Sequence, residues 1–190
     1  MTATASVGHN GREAAVAKRY SAAAKAKEPA LCCPVQYRRE YLQAIPEELL
    51  QRDYGCGDPT PYVRRGETVL DLGSGGGKAC YILSQVVGPA GRVIGVDCNQ
   101  EMIDLARRYR DTVAQRIGYA NVEFRYGMIQ DLALDLELLT EAVHALRIVR
   151  PQDWLDLRQV EHRLRHERPM VPDESVDCVV SNCVLNLVRP

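Results

Sequence analysis

Residues 67–97 read ETVLDLGSGGGKACYILSQVVGPAGRVIGVD, and their pattern decides the fold. Glu67 to Leu72 is a short apolar run of strand type, ending in the cluster Gly73-Ser74-Gly75-Gly76-Gly77. Lys78 to Val87 then places apolar residues at helical spacing and stops at Gly88-Pro89. Arg92 to Val96 is a second apolar run, closed by Asp97. A strand, a glycine turn, a helix and a strand in this order predict a βαβ unit with parallel pairing and a right-handed crossover.

The alternation continues on both sides. Glu101 to Ile117 is predicted as one helix, with Asn99 as its N-cap and Gly118 just past its end. Asn121 to Tyr126 is a third strand and Val176 to Ser181 a fourth, while residues 131–170 are expected to be a helical insertion or lid. Upstream, residues 11–28 predict a helix ended by Pro29, and residues 29–62 are irregular, with Pro46 opening a short helix to Gln51. The expected division is a helix and cysteine-containing loop over 1–62 and an α/β domain over 63–190. In such sheets a ligand lies outside the carboxyl ends of the strands. Four places fall on that edge: residues 73–77, Asp97, Gly127-Met128 and Asn182-Cys183.

The glycine cluster excludes two nucleotide-binding patterns. The dinucleotide pattern G-x-G-x-x-G puts its last glycine on Lys78 or on Cys80, depending on the start. A phosphate-binding P-loop fails because Leu72 and Ala79 stand where glycine and Ser or Thr are required. What remains, Asp71-x-Gly73-x-Gly75-x-Gly77, resembles motif I of the S-adenosylmethionine-dependent methyltransferases, with a Rossmann-like class I sheet. That ligand carries no phosphate, so it has no need of a helix N-terminus that grips pyrophosphate. Glycines let backbone approach its amino-acid and ribose parts closely. The resemblance implies S-adenosyl-L-methionine as cofactor, held by Asp71, Gly73, Ser74, Gly75 and Gly77, with Asp97 accepting from the ribose hydroxyls. It puts Cys98, Met128 and Ile129 near the adenine. The plainer alternative, that the glycines only make a tight turn, leaves the well-placed Asp97 unexplained.

Composition narrows the function classes. Of 190 residues, 46% are hydrophobic and 26% charged, which fits one globular domain with a sizeable core. A formal net charge of -1 gives no basic footprint for nucleic acid. No apolar run is long enough to span a bilayer, and the first residues lack a secretory pattern, so a cytoplasmic place is expected. The seven cysteines include no Cys-x-x-Cys pair, so no structural zinc or other metal site is expected, and a reducing cytosol would keep them as thiols.

Two further segments sharpen the resemblance to the arsenite methyltransferases: Tyr54-Gly55-Cys56-Gly57 and Ser181-Asn182-Cys183-Val184-Leu185-Asn186-Leu187. The resemblance implies that Cys56 and Cys183 bind arsenic and form the catalytic pair. It also implies that Tyr54 lies near the methionine end of the cofactor and Asn182 on the cofactor side. Cys32-Cys33 would be an upstream capture site that exchanges disulfides with a thiol reductant. Soft trivalent arsenic selects thiolates, which leave its lone pair free. Aligning donor and acceptor is then the main catalytic task, and no strong general base is required. Accordingly, His144, His162 and His166 are expected to face solvent. The pattern departs from the family in two ways: its third arsenic-binding cysteine and its later strands lie beyond this chain. The expectation is a sheet lacking the C-terminal strands, with the fourth strand an exposed apolar edge. Two other functions stay open: methylation of another small molecule, and a non-catalytic fragment that binds the cofactor.

Overall fold

Alternating side chains of two central strands divide the apolar core into two layers. The computed structural model describes residues 10–25, 35–52 and 56–185, with side chains in the first helix from residue 18 onward. Strands β1 (Thr68–Leu72) and β2 (Arg92–Asp97) pair in parallel. On one face Val69 and Val93 pack with Tyr81, Ile82 and Leu83 of α4 (Lys78–Val87), and with Met102, Ile103 and Leu105 of α5 (Gln100–Arg108). On the other, Leu70, Ile94 and Val96 meet Met170 and Val171. This is the two-residue period of a strand buried on both sides. Each fully buried large aliphatic side chain contributes roughly 1.5–3 kcal/mol.

The sheet has the order β4-β3-β2-β1-β5. β3 (Val122–Met128) and β5 (Cys178–Ser181) pair in parallel with β2 and β1, and β4 (Asp131–Asp135) pairs antiparallel with β3. Leu72 therefore stands between Val96 and Ser181, and Asp97 beside Tyr126. β5 is an edge among the described residues, and its Val179 is 54% exposed, in line with the expected apolar edge.

Three segments differ from expectation. The single helix over 101–117 is two, α5 and α6 (Arg110–Ile117), broken at Tyr109, whose hydroxyl donates to the Glu48 carboxylate. Residues 131–170 open with β4 before α7 (Leu136–Leu146) and α8 (Pro151–Glu167). Asp135 ends β4 and caps α7, accepting from the amides of Glu137 at 2.8 Å and Leu138 at 3.2 Å. Residues 29–62 hold short helices: α2 (Arg39–Leu42), α3 (Glu47–Gln51), and a 3-10 turn over Thr60–Tyr62. Pro46 is the N-cap of α3, not its first helical residue. The N-terminal helix α1 (Asn10–Lys25) lies against α5, where Ser21 donates to Glu101 at 2.9 Å. Among the described residues, no helix is long and apolar enough to cross a membrane.

Two tests follow from the packing. Gly77, at φ 83°, precedes α4, and a Cβ there would lie 2.5 Å from Phe124 Cζ and 2.9 Å from Ala106 Cβ. Gly77→Ala is expected to lose about 2 kcal/mol or more in urea unfolding; a loss under about 0.5 kcal/mol would show that the core yields there. The second test concerns Asp71, which is 2% exposed and accepts the Cys80 thiol at 3.2 Å. Burial pushes its carboxyl from 3.8 up to about 6, opposed by the thiol hydrogen bond and reinforced by Asp97. Burial, with the Asp71 charge, also pushes the Cys80 thiol up. Because the folded-state value of Asp71 is raised, its contribution is most favourable below about 4 and is lost as pH rises through about 6. Wild type should lose stability relative to Asp71→Asn by about 3 kcal/mol between those limits. A pH-independent difference between the two proteins would contradict this.

Candidate active site

The glycine loop leaves β1 and folds back onto β2. The amides of Gly73 and Ser74 both donate to the Val96 carbonyl, at 2.8 and 3.0 Å, and Gly77 closes the turn onto the Ser74 carbonyl at 2.9 Å. Asp97 takes hold of the loop from β2: its Oδ2 accepts from Gly75 N at 2.9 Å and its Oδ1 from Asn99 N at 2.8 Å. Burial raises the Asp97 carboxyl, while the backbone N–H groups of Asn99, Gly75 and Cys98 lower it. Asn99 in turn caps α5, its side chain accepting from Met102 N at 3.1 Å.

The four loop residues assigned to the cofactor have different surroundings. Gly75, at φ 52°, faces open space, with nothing within 4 Å of a built Cβ. Gly77 is packed under Phe124, and Gly73 is covered by Val184, whose Cγ1 lies 2.6 Å from where a Cβ would stand. Ser74 is buried, and its Oγ has no hydrogen-bond partner among the described residues. Gly95 admits it, since a Cβ there would lie 2.8 Å from both Ser74 Oγ and Cys80 Sγ. The open cradle at Gly75, with the Asp97 carboxylate bonded to its amide, fits close approach of a nucleoside-type ligand. With three backbone donors on its roughly four acceptor positions, the Asp97 carboxylate keeps one for a sugar hydroxyl.

The two predicted arsenic ligands are brought together from 127 residues apart. Cys56 and Cys183 have Cα atoms 6.1 Å apart and are joined as a disulfide. This corrects the expectation that every cysteine is a thiol: Cys56 sits between glycines, Cys183 directly past β5, and the fold closes the two loops on each other. Asn182 fixes that closure. Its Oδ1 accepts from Cys56 N at 2.9 Å, and its Nδ2 donates to the Gly57 carbonyl at 2.6 Å. Tyr37 Oη donates to the same carbonyl at 3.0 Å, and Lys78 Nζ lies 4.4 Å from the Tyr37 ring centroid. Cys183 is held at φ 60°, a left-handed conformation that costs a residue with a Cβ roughly 1–2 kcal/mol.

Other predicted residues are less closely gathered. Cys98 is exposed beside Asp97, and Met128 is 46% exposed at the end of β3. Ile129 turns inward and packs with Leu72, Leu132 and Val176 against the second core layer. Asp71 lies beneath the loop and meets Cys80 of α4. Cys32, Cys33 and Tyr54 lie outside the described residues. His144, His162 and His166 are exposed, the last two stacked with centroids 4.1 Å apart. No group of three or more His, Cys, Asp or Glu suited to a metal occurs among the described residues. Tyr37, Lys78 and Val184 escape a reading of the sequence. No motif marks the first two, and Val184 is visible only as the neighbour of Cys183.

The family described as "Methyltransferase domain" matches residues 64–145. The chain is similar to the arsenite methyltransferase of Aquipseudomonas alcaligenes, 37% identical over 160 residues, covering 82% of this chain and 36% of that protein. It is similar to the arsenite methyltransferase of Homo sapiens, 34% identical over 152 residues, covering 79% and 32%. Among solved structures it is similar to an arsenic(III) S-adenosylmethionine methyltransferase from Chlamydomonas reinhardtii. Identity is 30%, the TM-score is 0.58, and 82% of this chain and 42% of that one are covered. The chain spans about a third of the length of these two curated relatives. Residues 64–145 thus match a methyltransferase domain, and over about four-fifths of its length the chain resembles the arsenite methyltransferases.

Proposed function

We propose that this chain carries the cofactor cradle and part of the arsenic site of a methyltransferase that acts on trivalent arsenic. One observation carries the reading: Cys56 and Cys183 are paired at 6.1 Å between Cα atoms, and Val184, next to Cys183, rests on Gly73 of the cofactor loop. A cysteine pair that reduction would turn into two thiols thus lies against the loop that the methyl donor would occupy.

Bound S-adenosylmethionine supplies an electrophilic sulfonium methyl, the acceptor for the lone pair of trivalent arsenic. The chain's own residues do the rest. Gly75 and Asp97 hold and orient the ligand at the ends of β1 and β2. Cys56 and Cys183, once reduced, hold arsenic as a soft centre: two As–S bonds form, and two of the three arsenite hydroxyls leave as water with the thiol protons. Reduction needs two electrons from a thiol reductant, whose two thiols become a disulfide. Holding donor and acceptor in line supplies the main acceleration, so no side chain here is asked to take a proton in the transfer. Cys32, Cys33 and Tyr54 are proposed to complete the arsenic and cofactor surroundings.

Calorimetric titration tests the reading. The reduced chain should bind S-adenosylmethionine saturably, and arsenite in its presence. Cys56→Ser and Cys183→Ser should each weaken arsenite binding by at least about tenfold and leave cofactor binding within about twofold. Cofactor binding without arsenite binding would move the substrate to another class. Binding of neither would refute the proposed site.

A further inference from the structure

We propose that Asn182 is a positioning residue: its carboxamide sets the spacing of the Cys56 and Cys183 thiols, with Tyr37 as second support. The inference rests on the thiol-pair reading and assigns Asn182 away from the cofactor side, where the motif alone had put it. Both functional ends of its side chain are committed to the cysteine loop. Oδ1 accepts from Cys56 N at 2.9 Å, and Nδ2 donates to Gly57 O at 2.6 Å. A backbone N–H only donates and a backbone carbonyl only accepts, so these partners fix which end of the amide is which.

The loop needs such a clamp. Cys56 is exposed and flanked by Gly55 and Gly57, so neither core packing nor side-chain sterics restrains it. Its partner Cys183 follows Asn182 directly, and the bond to Cys56 N crosses 126 residues of sequence. Once the disulfide is reduced, any movement of the loop away from Asn182 separates the sulfurs. The Gly57 carbonyl also accepts from Tyr37 Oη at 3.0 Å, so both of its acceptor positions are filled. Tyr37 is buried under Lys78, the first residue of α4 after the glycine loop. The clamp therefore ties the thiol pair to the base of the cofactor loop without using the open face at Gly75.

A dithiol probe tests this. Phenylarsine oxide, hydrated to C6H5As(OH)2, takes two thiols, forms two As–S bonds and releases two waters, with no change of oxidation state at arsenic. The full chain is first reduced with a phosphine, which is then removed. Probe affinity is measured for wild type, Cys56→Ser, Asn182→Ala, Asn182→Asp and Tyr37→Phe. Asn182→Asp keeps the size and the acceptor but sets an anionic oxygen against the Gly57 carbonyl. Asn182→Ala and Asn182→Asp are both expected to weaken the probe about tenfold and Tyr37→Phe about threefold. S-adenosylmethionine affinity, and the rates at which iodoacetamide alkylates each cysteine singly, should stay within about twofold.

Wild-type affinity in both Asn182 variants overturns the proposal and leaves the thiol pair standing. A matching loss of cofactor affinity assigns Asn182 to general stability and also overturns it. If wild type binds no better than Cys56→Ser, the thiol-pair reading itself fails, and the proposal with it. If neither Asn182 variant folds, Tyr37→Phe decides: a threefold loss of the probe alone supports the clamp, and no loss overturns it.

Discussion

Parallel pairing of β1 with both β2 and β5 is the constraint on which the rest depends. The register sets Leu72, Val96 and Ser181 in one row. Chain direction then carries the next residues, Gly73, Asp97 and Asn182, out of the same edge of the sheet. They are separated by up to about a hundred positions in sequence but have no freedom to lie far apart. The second requirement is that Gly73 and Ser74 share the Val96 carbonyl. That bond turns the loop toward β2, where the Asp97 carboxylate meets the Gly75 amide.

Loop and thiols are then one assembly and not two neighbouring sites. Val184 seats on Gly73, Asn182 holds the Cys56–Gly57 backbone, and Tyr37 joins that backbone to the base of α4 under Lys78. Asp71 and Cys80 lie beneath, a buried carboxyl and thiol bonded across β1 and α4. Only Gly75 among the loop glycines faces open space in this arrangement; Gly73 and Gly77 answer packing requirements. On the proposed reading, a soft centre bound by the two thiolates would be held by loops fixed to the Gly75–Asp97 cradle, as alignment-driven transfer demands.

The strands and α4 were legible because strong local signals agree there. Apolar runs of strand length, a helix at 3.6-residue spacing and Gly-Pro stops reinforce one another over residues 67–97. Legibility fails where tertiary contact decides. Nothing local at Tyr109 breaks a helix; its hydroxyl is tied to Glu48 on another element. The Asp131–Asp135 run is five residues long and leads straight into leucines of helical type, so its strand shows only through pairing with β3. Motif resemblance picked out Cys56 and Cys183, but spacing alone cannot reveal that they are bonded to each other. Nor can it reveal that Asn182 spends its amide on a loop 126 residues away.

The most direct test of the central claim is X-ray absorption at the arsenic edge of the reduced chain with stoichiometric arsenite. The account predicts a first shell containing sulfur from both Cys56 and Cys183, with Cys56→Ser and Cys183→Ser each losing one sulfur. A first shell of oxygen alone, or one unchanged by either substitution, would contradict it.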